Sequence, residues 1–345
     1  MTKTNFSKVK DLKKMVILLF TMVVFSGFFV PPSSITSFNV FAEDIPGTSG
    51  DDILVGTDDN DNIDSGDGND QNEGRGGDDN IHSGDGDDQN VGENRDGTSD
   101  VGNDKIDSGD GFDVNIGDNF IGNGEGGDDK IDSGDGGGVN IGDNVIEEGD
   151  SKGGDDVIKS EDGDDSNVGD NFAGNGNGGD DVIDSGAGDD FNVGDNVFGE
   201  DGDVGGDDVI KSGDGDDFNV GDNGRIFGEG DSVGGDDVIK SGDGDDTNYG
   251  DNFDGTGAGG NDIIKSGKGD DTNIGAGGND IISSGKGDDT NDGGDGDDKI
   301  KAGKGDDTLI GGPGADKFNC GKGVDTTDFD ASQGDKMSGN CKNKK

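Results

Sequence analysis

The sequence is poor in almost everything an enzyme uses for chemistry. Tryptophan is absent, and histidine occurs once, at His82, at a repeat position that is expected to face outward. No G-x-S-x-G and no H-E-x-x-H motif occurs. Neither a nucleophile with its base nor an open catalytic metal position can be identified, so no enzyme activity is expected. Positive charge is scarce too, with 26 Lys and Arg against 82 Asp and Glu and a formal net charge of −56. Such a balance excludes nucleic acid as a partner, because phosphates need lysine and arginine; it favours cations instead. Only 24% of the 345 residues are hydrophobic. Low hydrophobicity with high net charge marks a chain that cannot offset its ordering entropy by burial. No 3.6-residue apolar period is present, which argues against helices.

Two stretches depart from this composition. Lys3, Lys8, Lys10, Lys13 and Lys14 precede an apolar run from Met15 to Val30, and Val40-Phe41-Ala42 offers small residues where a signal peptidase cuts. Residues 1–42 therefore read as a secretory signal segment, with an uncleaved signal anchor as the alternative and the sole route to a membrane. Removing five lysines and Asp11, a net +4, leaves −60. Both cysteines, Cys320 and Cys341, lie near the C-terminus. An even count in an exported chain suggests one disulfide.

What the sequence has in abundance is glycine, 76 residues, and aspartate, in a nine-residue register. Residues 47–91 and 257–328 hold regular nonapeptides such as Ser284-Gly285-Lys286-Gly287-Asp288-Asp289-Thr290-Asn291-Asp292. Residues 92–256 between them hold longer repeats of 25, 27 or 29 residues, each two nonapeptides plus an insert such as Gly221–Phe227. Residues 43–46 read as a short linker and 329–345 as a C-terminal cap or tail.

The nonapeptide resembles G-G-x-G-x-D-x-U-x, the repeat of RTX, or hemolysin-type, calcium-binding proteins. That resemblance implies an all-β fold, a parallel β-roll or β-helix solenoid of stacked two-strand coils, here with widened coils in the middle. It also implies many bound Ca²⁺ ions, held between turns by sixth-position aspartates and backbone carbonyls. On one edge those aspartates are Asp52, Asp70, Asp88, Asp113, Asp165, Asp190, Asp217, Asp246, Asp271, Asp289, Asp307 and Asp325, with Gly138 interrupting the series. On the other they are Asp61, Asp79, Asp104, Asp129, Asp156, Asp181, Asp208, Asp237, Asp262, Asp280, Asp298 and Asp316. Calcium takes six to eight oxygen ligands, and glycine lets carbonyls turn toward an ion.

The U positions differ between the two halves of each coil. One set is isoleucine from Ile63 to Ile300, ending in Phe318. The other begins at Leu54, continues as asparagine from Asn72 to Asn291, and ends in Leu309 and Thr327. Two arrangements satisfy this pattern: a buried amide ladder, or flipped strands with Val193, Val220 or Ile274 inward. The insert pairs Phe120-Ile121, Val145-Ile146, Val197-Phe198 and Ile226-Phe227 are expected to add a third short strand or a satellite cluster.

The reading is a secreted, extracellular or cell-surface calcium-binding repeat protein with a structural role, contacting a cell-surface or extracellular polymer. One alternative is an adhesive or ice-binding module, for which Thr247, Thr272, Thr290 and Thr308 form a short array. Another is a calcium-dependent polysaccharide lyase, although Arg75, Arg95 and Arg225 form no cluster.

Overall fold

The structure is a computed structural model that describes residues 44–93, 102–119, 121–122, 126–197, 204–223, 232–252, 257–338 and 341–343. The signal segment, and insert residues Phe120, Phe198, Ile226 and Phe227, lie outside these. Every regular element among the described residues is a short strand, and no helix there is long and apolar enough to cross a membrane.

The strands fall into two parallel sheets of fourteen, their neighbours in space being alternate strands in sequence. Each coil therefore gives one strand to each sheet, which is the parallel β-roll solenoid. One sheet runs from Asp44–Pro46 through strands such as Val182–Asp184 to Lys336–Ser338; the other runs from Ile53–Val55 through Phe191–Val193 to Lys342–Asn343. Register is held coil by coil, with Ile183 opposite Ile210 and Asn192 opposite Asn219 despite the intervening insert. Glycine makes the turns between sheets possible. Gly213 has φ 92°, and a side chain there would run into the Gly186 carbonyl of the preceding coil.

Strands at both ends extend the two sheets. Asp44–Pro46 is no linker but the first strand of its sheet, because Ile45 pairs with Ile63 and lengthens the apolar file. Past residue 328, Lys336–Ser338 and Lys342–Asn343 add a strand to each sheet, so the tail completes a further coil.

The interior is narrow and half polar. Ile63, Ile81, Ile106, Ile131, Ile158, Ile183, Ile210 and Ile239 form one continuous buried cluster. Across from it the asparagines point inward and are fully buried. From Asn72 to Asn273 each Nδ2 donates to the next asparagine's Oδ1 and to a serine hydroxyl from the isoleucine sheet, and Asn291 donates to Ser284 alone. Asn219, for instance, donates to Asn248 Oδ1 at 2.9 Å and to Ser212 Oγ at 3.0 Å. Where the ladder ends, its partners change with it. Ala302 and Cys320 replace serine in the coils that carry Leu309 and Thr327, and an apolar cluster closes that end. A buried amide without a partner is costly, so donor and acceptor files appear and disappear together.

The flipped alternative is not what the structure shows, since asparagine points inward, yet the outer face of these strands is covered too. Val193 and Val220 are buried as well, on the other face of the same strands, together with Ile116, Ile141, Val168 and Phe191. Insert residues Val145, Phe172 and Val197 are buried with them. Two further small parallel sheets come from the inserts: Ile121–Gly122, Ile146–Lys152 and Ala173–Asn177 in one, Ser232–Val233 and Gly257–Ala258 in the other. In the widened coils the asparagine sheet is thus covered on both faces. In the regular coils its outer face is more open, and Ile274 is half-buried.

Candidate metal centre

All the sixth-position aspartates named above stand in two columns, one at each junction of turn and strand. All are buried except Asp52, which is half-buried. Within a column the contacts repeat. The Asp79 N–H donates to Asp104 Oδ1 at 2.6 Å, Asp104 to Asp129 at 2.6 Å, and Asp129 to Asp156 at 2.6 Å. On the other edge Asp190 donates to Asp217 at 3.0 Å and Asp271 to Asp289 at 3.0 Å. One carboxylate oxygen of each aspartate therefore joins neighbouring coils.

The other oxygen has no such role. Oδ2 of Asp79, Asp104, Asp129, Asp156, Asp217 and Asp289, among others, is buried and accepts no hydrogen bond. Buried carboxylate oxygens of this kind need either a counter-charge or a proton. Burial pushes Asp79 and Asp113 up to about 7 and Asp217 and Asp271 up to about 8. Neighbouring carboxylates in the same column add to the rise, and the hydrogen bond from the preceding coil partly opposes it. Glycine leaves room beside these oxygens: a side chain on Gly142 would collide with Asp156 Oδ2 and with the Gly169 carbonyl. A pocket lined by carboxylate and carbonyl oxygens, all turned toward a space that only glycine leaves open, is the donor set a hard divalent cation such as Ca²⁺ requires. The residues fit calcium, which would supply the missing positive charge.

Gly138 interrupts its column less than its lack of a side chain suggests. Its N–H still donates to Asp165 Oδ1 at 2.7 Å, so the backbone continues the coil-to-coil contact while one carboxylate is missing. At the C-terminal end Asp335 continues the other column, accepting the Asp316 N–H at 3.0 Å.

The structure also shows carboxylates that the nonapeptide register does not reveal. Each insert opens with Gly-Asp-Asn, at Asp118, Asp143, Asp170, Asp195, Asp222 and Asp251. These side chains are buried and turn toward the second column. Asp118, Asp129 and Asp143 bring carboxylate oxygens within 4.8 Å of one another, as do Asp143, Asp156 and Asp170, and then Asp170, Asp181 and Asp195. Asp143 and Asp170 are each shared by two clusters, so the three form a continuous file. Burial, reinforced by neighbouring carboxylates, holds Asp129, Asp143, Asp156 and Asp181 well above the usual carboxylate range. Glu93 stands in the same place one coil earlier, is pushed up to about 9 by burial, and accepts the Gly102 N–H at 2.5 Å. The recurring G-D-N was the available signal, visible once the inserts are aligned on their first residues. It follows directly on the three-residue asparagine strand and places a carboxylate where regular repeats have Arg75 or Ala276.

Cys320 and Cys341 are joined by a disulfide with Cα atoms 5.3 Å apart, tying the last coil to the one before it. His82 is exposed on the outer face, with Nδ1 3.7 Å from an Asp107 carboxylate oxygen.

No curated protein gives a significant match to the chain. Four segments, residues 46–71, 175–191, 256–290 and 292–326, match the family profile of the RTX calcium-binding nonapeptide repeat. These segments lie in both regular blocks and in a widened coil, and the two aspartate columns run through all of them. With its columns of buried carboxylates and its all-strand parallel coils, the chain carries the calcium-binding repeats of the RTX, hemolysin-type family.

Proposed function

We propose that this protein is exported, takes up calcium outside the cell, and thereby folds into a structural or cell-surface element without enzymatic activity. The observation that carries the reading is the series of buried Oδ2 atoms in the two columns, such as those of Asp79, Asp104, Asp217 and Asp289, that accept no hydrogen bond. In the metal-free chain these carboxylates repel, and the interior of one isoleucine and one asparagine per coil is too thin to overcome that. A site shared between stacked coils does not exist in the unfolded chain, so binding energy becomes folding energy. Extracellular calcium modules bind with Kd of ~10⁻⁴–10⁻³ M, weak enough to leave the chain unfolded in low-calcium cytoplasm. The basic and apolar residues 1–42 supply the export route.

The ice-binding or adhesive alternative has one supporting feature. Thr247, Thr272, Thr290, Thr308 and Thr326 stand in register on consecutive coils. The array begins after Phe218, and its first member is buried, which leaves a short face for a surface ligand. Arg75 pairs with Glu73 at 3.6 Å, and Arg95 and Arg225 lie outside the described residues, so no arginine cluster is found among the described residues to support the lyase alternative.

Circular dichroism during a calcium titration of the chain from residue 43 tests the proposal. The spectrum should pass from coil to β with a steep midpoint, and chelator should reverse it. A β spectrum of equal strength in excess chelator would defeat the reading.

A further inference from the structure

One side of the solenoid reverses its charge along its length. The residue between the two glycines at the end of each isoleucine-sheet strand is Asp67, Asp85, Asp110 and Asp135 in the early coils, and Asp214 and Asp243 in later ones. From Lys268 onward the same position is lysine. Asp243 pairs with Lys268, Lys268 with Lys286, Lys286 with Lys304, and Lys304 with Lys322, each directly above the last. Four lysines therefore stand in register in one column, on strands ~4.8 Å apart. All four lysines are exposed. Lys268 pairs with Asp243, whereas Lys286, Lys304 and Lys322 make no ion pair among the described residues.

The nearest aspartates in sequence form a column of their own, each giving one carboxylate oxygen to a backbone N–H of the next coil. Asp270 Oδ1 accepts the Asp288 N–H at 2.8 Å, Asp288 the Asp306 N–H at 2.7 Å, and Asp306 the Val324 N–H at 2.8 Å. The lysines border a groove of about 740 Å³, with Gly267, Gly285, Gly303 and Gly321 among its lining and Lys301 and Asn319 also on its walls. In a chain of net charge −56, an in-register stack of lysines, three of them without an ion pair among the described residues, beside an open, glycine-lined groove is locally repulsive, and a bound anion would relieve that repulsion.

We propose that this groove binds a linear acidic polysaccharide along the coil axis. The column spans four coils, so it matches a polymer whose carboxylates recur at regular short intervals better than a single compact anion. Glycines leave backbone groups within reach of sugar hydroxyls, and lysine meets carboxylates as a mobile point charge. The surrounding acidic surface disfavours more densely charged polymers such as nucleic acids. The inference rests on calcium-dependent folding and gives the resulting solenoid a partner.

The test uses the calcium-loaded chain with polygalacturonate as probe, followed by calorimetry at low and moderate salt. Polyphosphate, single-stranded DNA and neutral dextran serve as comparison polymers. Polygalacturonate should bind in a salt-sensitive way, and the Lys286→Glu/Lys304→Glu double variant should bind about tenfold more weakly. Its calcium titration by circular dichroism should match the parent's, which separates loss of the groove from loss of the fold. A parent chain that shows no calcium-driven β signal fails the folding proposal; one that folds yet ignores polygalacturonate overturns the groove. Equal binding by the double variant, or stronger binding of DNA or polyphosphate, also overturns it. So does sedimentation showing that the lysines instead hold a dimer against the aspartate column of a second copy, with no polymer bound.

Discussion

Replacing Asn219 with aspartate tests the buried amide ladder at its centre. Asn219 is fully buried and makes three side-chain hydrogen bonds. Its Oδ1 accepts from Asn192 at 2.9 Å, and its Nδ2 donates to Asn248 Oδ1 at 2.9 Å and Ser212 Oγ at 3.0 Å. In Asn219→Asp the acceptor survives while the donor becomes an oxygen facing the Asn248 oxygen. The Ser212 hydroxyl, which donates to the Ser241 carbonyl at 3.4 Å, can donate to the new oxygen only by leaving that carbonyl, so at least one link is lost and the Asn248 Oδ1 is left without its donor. Leaving a buried polar group unsatisfied costs ~1–3 kcal/mol, more when it carries charge. For a domain of this size that is a fall in melting temperature of ~2–6 °C in saturating calcium. The sign with pH follows from the same geometry. Burial raises the new carboxyl above its unfolded value, so the loss is smallest at acid pH, where a protonated Oδ2 donates to Asn248, and grows as pH rises through the folded pKa. Melting temperatures of parent and variant, followed by circular dichroism between pH 4 and 8, measure both effects. An unchanged melting temperature at pH 8 would refute the account of the interior.

The shared carboxylates make a second prediction: Asp143→Asn, which alters two three-carboxylate clusters at once, should move the calcium midpoint of folding to higher concentration, whereas Asp85→Asn on the exposed surface should not; equal midpoints would remove Asp143 from the site. Protons should compete with calcium, because burial raises Asp88 to about 6, Asp79 to about 7 and Asp280 to about 8 in the metal-free fold. Groups with raised folded pKa stabilise the metal-free coil stack below their unfolded values and lose that contribution as pH rises through about 6 to 8. The metal-free chain should accordingly gain β signal as pH falls toward 4 and shed it above 8, while the calcium midpoint falls as pH rises; a pH-independent midpoint would contradict this. Cys320→Ser should destabilise the C-terminal coil by ~3 kcal/mol, read as faster proteolysis after residue 328, because closing a loop of this length removes about that much unfolded-state entropy. Two alkylatable thiols in the intact mass of the exported parent would rule out the bond.

Much of this molecule is legible in its repeat spacing. A nine-residue register with glycine and aspartate at fixed positions resembles the RTX repeat, and that resemblance implies stacked coils in which each aspartate lies above its equivalent in the preceding coil. Hence the parallel coils, the isoleucine file and both aspartate columns can be read without coordinates. Asparagine at the U positions could not be placed so directly, because its inward or outward direction depends on whether a donor or acceptor waits opposite. The serines that settle it, such as Ser212 for Asn219, lie seven residues earlier on the opposite sheet. The burial of Val193 and Val220 depends on inserts whose path no periodicity describes. Likewise the G-D-N aspartates lie outside the nonapeptide pattern, and only the lateral closeness of successive coils makes Asp143 a neighbour of both Asp129 and Asp156. Sequence determined what repeats along the coil axis, because repetition is one-dimensional. Tertiary structure decided what meets across the coil, because those contacts join residues that no single period relates.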